Sequence, residues 1–237
     1  MAFTFNNAPI SALNLSIPKI GNITARVTTT TDVDAPIGSR ASLILEDLSI
    51  ICTPIRGRNH LSRGNYLVVG GAGAWRLYVP SDPTTGARGG LRSDAGIKLS
   101  TAANALAAAV NVAATRAGLA GRESVTVSND RVLGPAHVRL GMTGAACLDT
   151  LGAWYMRPDG VTVIGTRPTG ASSAKIVVGP FDPSCNKLIV SLPQGDVAAL
   201  VNSIGSTITG PTIEGEIIFE SLEITIADGK IRYTVNP

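Results

Sequence analysis

Apolar and polar residues alternate along much of the first eighty residues. Segments 20–30, 41–52 and 66–69 place β-branched or leucine side chains at alternating positions, which is typical of strands with one buried face. The polar pair Glu46–Asp47 divides the middle segment into two runs joined by a turn. We therefore predict an antiparallel β-barrel-like domain over residues 1–80.

The spacing changes to a helical one after residue 96. Leu99, Leu106 and Val110 recur with alanines on one face, which predicts a helix that is capped by Ser100 or Thr101, runs to about residue 117 and stops at Gly118. Its small apolar residues indicate close packing on a sheet. The preceding segment, 81–96, is rich in proline, glycine and small polar residues, which predicts a linker or an oligomer contact.

A short helix followed by a tight hairpin is predicted over residues 141–165. Thr143 is the predicted N-cap, and Gly152 ends the helix. Strands at 154–157 and 161–164 flank the turn at Pro158-Asp159-Gly160. We expect Trp154 to be a core anchor here. With short strands at 125–127 and 137–140, residues 97–170 are predicted to form a small α/β module.

The last part of the chain, 171–237, is predicted to be a C-terminal β domain. The pattern favours a helical turn or loop at 196–202, and an Asp-Gly hairpin at Asp228–Gly229 precedes a last strand at 231–235. Earlier strands are expected at 175–178, 187–192, 204–209 and 216–226. The predicted fold class is mainly β with an α+β module: β-barrel-like domains with an inserted or intervening small α/β module.

Composition and charge argue against a nucleic-acid-binding protein. The 237 residues carry a net charge of +3, and 16% of them are charged, which is too mild for a clustered basic face. We interpret the arginines of the first half as members of glycine-rich loops that are solvated or contact other subunits, with a phosphate-binding patch as the alternative. These are Arg56, Arg58, Arg63, Arg88 and Arg92.

Cysteine and histidine usage predicts neither a metal site nor a disulfide framework. Cys52, Cys147 and Cys185 are far apart and odd in number, and His60 and His137 lack local partners. Buried thiols fit assembly in a reducing cytoplasm. The chain opens without a signal-peptide pattern, and its longest apolar helix is interrupted by polar residues, so we expect no membrane span.

No motif in the chain carries a recognisable chemistry. Segment 69–75 supplies a G-x-G but not the third glycine of a dinucleotide loop, so a bend or β-bulge is predicted there. There is no G-x-S-x-G elbow either. We predict no catalytic, cofactor-binding or metal-binding residue.

The acidic residues of the last β segment have three interpretations. Glu214 and Glu216 would lie about 7 Å apart on one face of a strand, within the range of a glycosidase pair, although a solvated strand face is the simpler explanation. Carboxylates facing a channel would instead repel DNA phosphates in transit. The candidate channel lining is Glu214, Glu216, Glu220 and Glu223.

Several motifs in order resemble those of bacteriophage tail-tip and baseplate hub proteins. They are the segments 17–21, 41–57, 67–75 and 78–80, and most clearly 146–165 with Arg167–Pro168. The resemblance implies β-barrel domains with an α/β insertion, a homotrimeric ring and no catalytic residues. It further implies a virion protein that connects the tail tube, or a distal tail protein, to a spike or fibre. DNA or a tape-measure protein would contact it only in transit.

Two other classes of function remain open on the sequence alone. One is a tail-associated carbohydrate- or peptidoglycan-active enzyme that uses Glu214 or Glu216. The other is a receptor- or sugar-binding module, which needs exposed aromatic residues, whereas Trp75 and Trp154 stand in strand contexts that indicate burial. If the chain is a structural tail protein, we expect it in the phage tail of a virion that is assembled in the host cytoplasm.

Overall fold

Six antiparallel strands near the amino terminus form a closed β-barrel. The computed structural model describes residues 3–60, 63–79, 92–135, 138–139, 142–167, 177–182, 187–191, 196–208 and 217–236. The barrel order is β1-β4-β5-β6-β3-β2, and β2 closes the ring by pairing with β1. Its strands are β1 (Phe3–Phe5), β2 (Ala8–Pro18), β3 (Thr24–Thr29), β4 (Ala41–Leu45), β5 (Leu48–His60) and β6 (Arg63–Gly70).

Side chains fill the interior of this barrel. Alternate strand residues point inwards, and Phe5, Leu15, Leu43, Leu45 and Ile50 are completely buried or nearly so. Even eight strands enclose a space just wide enough for side chains, so a six-stranded barrel is a packed core and not a pore. The predicted mainly β fold with a barrel is therefore confirmed.

The hairpin between β4 and β5 confirms the turn predicted at Glu46–Asp47. Glu46 adopts a φ of 55°, the left-handed conformation that tight hairpin turns require. The register then pairs Leu45 with Leu48 directly beside the turn. Local turn chemistry thus fixes which residues of these two strands face the core.

A small α/β module follows the barrel. It begins with a 3-10 helix and contains a three-stranded sheet in the order β10-β11-β8, in which β11 pairs with β8 in parallel. Sequence patterns did not predict this parallel pair. The elements are the 3-10 helix Ala74–Arg76, β7 (Arg92–Ser93), α1 (Leu99–Arg116), β8 (Ser124–Val127), β9 (Val138–Arg139), α2 (Gly144–Leu151), β10 (Trp154–Met156) and β11 (Val161–Ile164).

The cap of α1 differs from the prediction. Neither Ser100 nor Thr101 is the N-cap; that position is Lys98, whose side chain makes no capping bond. The carboxylate of Asp130 instead accepts the Ser100 amide at 2.9 Å and the Ser100 hydroxyl at 2.8 Å. Asp130, thirty positions along the chain, therefore accepts a hydrogen bond from an amide of the first helical turn that has no partner within the helix.

The helix–hairpin unit agrees with its sequence signals. The Thr143 hydroxyl accepts the Ala146 amide at 3.3 Å, as the predicted N-cap of α2. Trp154 is 4% exposed, and its indole nitrogen donates to Asp149 on α2 at 2.8 Å. Gly152 follows the last residue of α2 with a φ of 139°, which favours glycine. Trp154 is therefore a buried anchor between the helix and the hairpin.

Trp75 forms a second centre of packing, within the module. It is 1% exposed, and its indole nitrogen donates to the Thr162 hydroxyl on β11 at 2.8 Å. At Gly144, the first residue of α2, an added Cβ would lie 2.9 Å from the Trp75 ring. Glycine at that position thus lets α2 approach the ring closely.

The carboxy-terminal strands extend the sheet of the barrel. Strand β16 pairs with β2, and the order continues through β17 and β13 to β12. The predicted hairpin at Asp228–Gly229 is confirmed, since both residues have positive φ. The elements are β12 (Val177–Asp182), β13 (Lys187–Ser191), α3 (Val197–Asn202), β14 (Thr207–Ile208), β15 (Ile217–Ile218), β16 (Ser221–Ala227) and β17 (Lys230–Asn236).

The segment predicted as one strand over 216–226 is divided in two. Phe219 and Glu220 lie between β15 and β16 without strand geometry, and the Phe219 side chain is completely buried. The Gly205 amide donates to the Phe219 carbonyl at 2.7 Å, which ties the break to the loop after α3. A tertiary contact therefore interrupts an otherwise continuous β pattern.

One hydrophobic core runs through the barrel, the module and α3. Backbone hydrogen bonds also join the barrel to the module, because Gly21 donates to Trp154 at 2.7 Å and accepts from Met156 at 3.1 Å. The predicted division into residues 1–80, 81–96, 97–170 and 171–237 stays a prediction.

Candidate assembly interface

The predicted contact arginines of the described region lie on strands, which corrects their placement in loops. Arg56 and Arg58 belong to β5 and Arg63 to β6, and all three are exposed. Glycine and charge near these positions are typical of loops, but the outer face of a barrel tolerates both. Arg88 lies outside the described residues, and Arg92 is described only as part of the backbone of β7.

A fourth arginine, Arg26 on β3, joins this group through the strand register. Arg26 pairs with Leu67 on β6, and Leu67 pairs in turn with Arg56 on β5. Paired residues share one face of a sheet, so Arg26 and Arg56 lie about 10 Å apart on the outside of the barrel. The sequence analysis did not name Arg26 as a site residue. Its neighbours Ala25 and Val27 are buried, so the alternation along the strand places Arg26 on the outer face.

We call Arg26, Arg56, Arg58 and Arg63 the arginine face. The three strands that carry it contain no aspartate or glutamate. Among the described residues, none of the four makes a salt bridge; the pairs found there are Lys19–Glu220 and Arg157–Asp159. The arginine face is thus an exposed positive surface on an antiparallel sheet, without a salt bridge among the described residues, although Asp34 lines a shallow pocket beside Arg58.

The predicted acidic lining divides into described and undescribed residues. Glu214 and Glu216 lie outside the described residues. Glu220 forms an ion pair with Lys19 at 2.6 Å just before β16, and Glu223 is half-buried on β16 beside Ser16 of β2. Because Lys19 neutralises Glu220, the described part of this segment is less acidic than its sequence indicates.

A buried carboxylate at the joint between barrel and module was not predicted. Glu123 is 3% exposed; its Oε1 accepts the Ala74 amide at 2.7 Å, and its backbone and Asn111 on α1 exchange two hydrogen bonds. Burial raises the pKa of Glu123 to about 7, against the opposing effect of the amides of Ala74, Ala72 and Trp75. Position 123 sits in a short loop before β8, so no periodic pattern marks it.

The cysteines and histidines considered for chemistry are either buried thiols or not fully described. Cys52 and Cys147 are buried free thiols, and burial raises the pKa of Cys52 to about 12, which makes it a poor nucleophile at neutral pH. Cys185 and His137 lie outside the described residues, and of His60 only the strand backbone is described. Across the described ranges, no three or more His, Cys, Asp or Glu side chains cluster as metal ligands would.

Segment 69–75 bends after a strand, as predicted. Gly71 and Gly73 have φ of 66° and 69° and lead from β6 into the 3-10 helix. At Gly71 an added Cβ would approach Glu123 Oε2 at 3.0 Å. The glycines thus permit close backbone packing around the buried carboxylate.

Within the described parts of the chain, no helix is both long enough and apolar enough to cross a bilayer.

Comparison with solved structures identifies the fold as one found in phage tail proteins. The 43 kDa tail protein of prophage MuSo2 from Shewanella oneidensis is 11% identical, with a TM-score of 0.54 over 95% of this chain and 92% of that one. An Escherichia coli type VI secretion component, described as structurally similar to the T4 bacteriophage tail proteins gp27 and gp5, is 8% identical. Its TM-score is 0.52 over 100% of this chain and 77% of that one.

These likenesses confirm, at the level of fold, the resemblance to phage tail proteins that the sequence motifs indicated. No protein-family model matches the chain, and no curated protein matches it.

Proposed function

We propose that this chain is a non-enzymatic structural component of a phage tail tip or baseplate. In this role it forms a ring-shaped hub that connects the tail tube to a spike or fibre. The observation that carries the proposal is the fold, which nearly the whole chain shares with a prophage tail protein and with a type VI secretion component. The proposed location is the virion tail, after assembly in the host cytoplasm.

Any channel in such a ring has to form between subunits. The barrel interior is filled by buried residues such as Phe5, Leu15 and Ile50, so the barrel itself leaves no passage. DNA or a tape-measure protein in transit would then meet outer faces of several copies. Glu220 and Glu223, with Glu214 and Glu216, remain our candidates for the lining.

We further propose that the arginine face contacts a neighbouring subunit or tail protein. An exposed positive surface favours an acidic partner surface, which gives specificity and a fast association rate. The face lies on paired strands of a closed barrel, so its arginines are held on a rigid support. Arg88 and Arg92 remain candidates for the same type of contact.

The test is the oligomeric state of the purified chain, alone and with its tail-tube and spike partners, by native mass spectrometry. We expect a homotrimer, alone or on assembly. The double variant R56E/R58E should lower the trimer fraction. The matched control K230E/R232E changes the same charge at exposed positions on another strand of the sheet. A strict monomer in the presence of all partners would contradict the proposal.

Duplex DNA binding separates this proposal from the alternative of a phosphate-binding patch. Fluorescence polarisation at rising salt should show weak binding that does not depend on Arg56 and Arg58. Tight, strongly salt-dependent binding that R56E/R58E abolishes would instead assign the arginine face to nucleic acid.

A further inference from the structure

An open groove of about 690 Å³ lies where three parts of the fold meet. Its walls are the turn between β4 and β5, the turn between β10 and β11, and helix α3 with its following loop. Four charged residues line it: Asp47, Arg157, Asp159 and Arg167. Pro158 adds apolar surface to the walls, while Leu48 and Ile204 lie buried behind them.

Three of the four charges are already engaged within the chain. The Arg157 guanidinium forms an ion pair with the Asp159 carboxylate across the β10–β11 turn. Asp47 Oδ1 accepts the backbone amide of Ala198 in α3 at 3.1 Å. Neither carboxylate forms a salt bridge with Arg167 in the described structure.

Arg167 is the charged residue of the groove that is buried and forms no salt bridge with the described residues. It is 8% exposed, its guanidinium carbon lies 4.5 Å from the centre of the Tyr155 ring, and one terminal nitrogen donates to the Met156 carbonyl at 3.3 Å. Its Nε has no hydrogen-bond partner in the described part of the chain.

A ring face and a carbonyl offset only part of the cost of burying this cation. Burial lowers the pKa of Arg167 to about 10, so the side chain is still charged at neutral pH. A buried charge without a counterion is expensive, because desolvation exceeds the gain from neutral partners. An anion within reach of the Arg167 guanidinium would offset this cost.

The size and lining of the groove decide which anion fits. A free phosphate or sulfate would fill a small part of a space that is in the range of ligand pockets, roughly 300–1,000 Å³. The half-buried ring of Pro158 can contact an aliphatic side chain next to an acidic one. We propose that the groove binds an aspartate or glutamate side chain carried by a short segment of a partner protein, with Arg167 receiving the carboxylate.

This inference does not rest on the proposed function, and its test uses peptides as probes. The full-length ¹⁵N-labelled chain is titrated with the tripeptide Ac-Leu-Glu-Leu-NH₂, with Ac-Leu-Gln-Leu-NH₂ and with inorganic phosphate, while amide shifts are followed. We expect saturable shifts around Tyr155 and Ala198 with the glutamate peptide. The glutamine peptide and phosphate should each bind at least about tenfold more weakly, since a charge-assisted bond is lost or the walls stay unfilled.

The variants assign the effect to one side chain. Arg167→Gln should abolish binding of the glutamate peptide, whereas Arg157→Gln, in the same groove but paired with Asp159, should retain it. If Arg167→Gln does not fold, Arg167→Lys decides the question, because a lysine lacks the planar fork of arginine and should weaken binding several-fold.

Four results would overturn the proposal. Equal affinity for both peptides would show that the groove does not recognise the carboxylate. Phosphate binding as tight as the glutamate peptide would make this a small-anion site. Unchanged binding in the Arg167 variants would remove that residue from the site. If neither peptide causes amide shifts at concentrations up to about 20 mM, the groove does not bind such segments.

Discussion

Glu123 is the residue whose chemistry differs most from its ordinary state. The folded chain raises its pKa from 4.5 to about 7, so folding favours the protonated carboxyl. The resulting stabilisation is complete below the unfolded pKa and is lost as the pH rises through about 7. Between pH 5 and pH 8 we expect the free energy of unfolding to fall by up to roughly 3 kcal/mol from this group.

The measurement is urea unfolding at several pH values for the natural chain and for Glu123→Gln. The glutamine does not titrate, so the difference between the two proteins should change with pH between 5 and 8. All other titratable groups are the same in both proteins, so their contributions cancel in the comparison. A difference that is constant with pH would show that Glu123 stays ionised, held by the amides of the 71–75 loop.

Trp154 should be among the side chains of the module most costly to remove. Trp154→Ala deletes a buried indole between α2 and its hairpin, and we expect a loss of about 3–5 kcal/mol in unfolding free energy. Trp154→Phe keeps most of the volume and loses the bond to Asp149, which should cost less. An unchanged melting curve for Trp154→Ala would refute the anchor role.

At the scale of elements, the start of α1 depends on a residue outside the helix. Asp130 accepts both the amide and the hydroxyl of Ser100, and these bonds lower the pKa of its carboxyl below 3.8. Asp130→Ala should therefore lower the melting temperature at neutral pH, while Thr101→Ala, an exposed position in the first turn, should not. The two variants can be compared directly by circular dichroism.

The pairing of β5 with β6 depends on a glycine facing an aromatic ring. An added Cβ at Gly57 would lie 2.7 Å from the ring of its partner Tyr66, whose hydroxyl donates to the Val33 carbonyl. Gly57→Ala should cost about 1–3 kcal/mol by overpacking. Gly134→Ala is the control, because an added Cβ there meets nothing within 4 Å. Equal stability of the two variants would show that Tyr66 moves freely.

Local signals explain which elements could be predicted from sequence. The turns at Glu46–Asp47 and Asp228–Gly229 and the cap at Thr143 depend on residues adjacent in the chain, and each was predicted correctly. The cap of α1 and the break at Phe219 depend on distant contacts, which no local pattern contains. The sequence analysis assigned these arginines to loops. Their position on one face follows from strand register, which depends on how pairs of strands align and is not visible in a single segment.

At the scale of the whole molecule, the long-range strand pairings of the sheet could not be predicted from the sequence. Strand β16 pairs with β2, about two hundred residues away, and both are ordinary alternating strands that fit many partners. The barrel class followed from several short amphipathic strands, whereas its order and the parallel β8–β11 pair did not. The groove at Arg167 joins three separate parts of the chain and has no sequence signature.

A continuous core predicts cooperative unfolding of the whole chain. The buried residues of the barrel, the module and α3 form one cluster, and the backbone of Gly21 joins the barrel to β10. We therefore expect one calorimetric transition, with equal van't Hoff and calorimetric enthalpies. Two separate transitions would show that the predicted divisions near residues 80, 97 and 170 are independent folding units.

Strand β2 belongs both to the closed barrel and to the carboxy-terminal sheet, and this determines how the protein carries force. Six residue pairs join β2 to β16, from Ser221–Pro18 to Ile226–Leu13. A pull along these strands loads their hydrogen bonds together, in shear, whereas a pull across them opens the bonds one after another. The fold is therefore mechanically anisotropic, with its strong axis along β2.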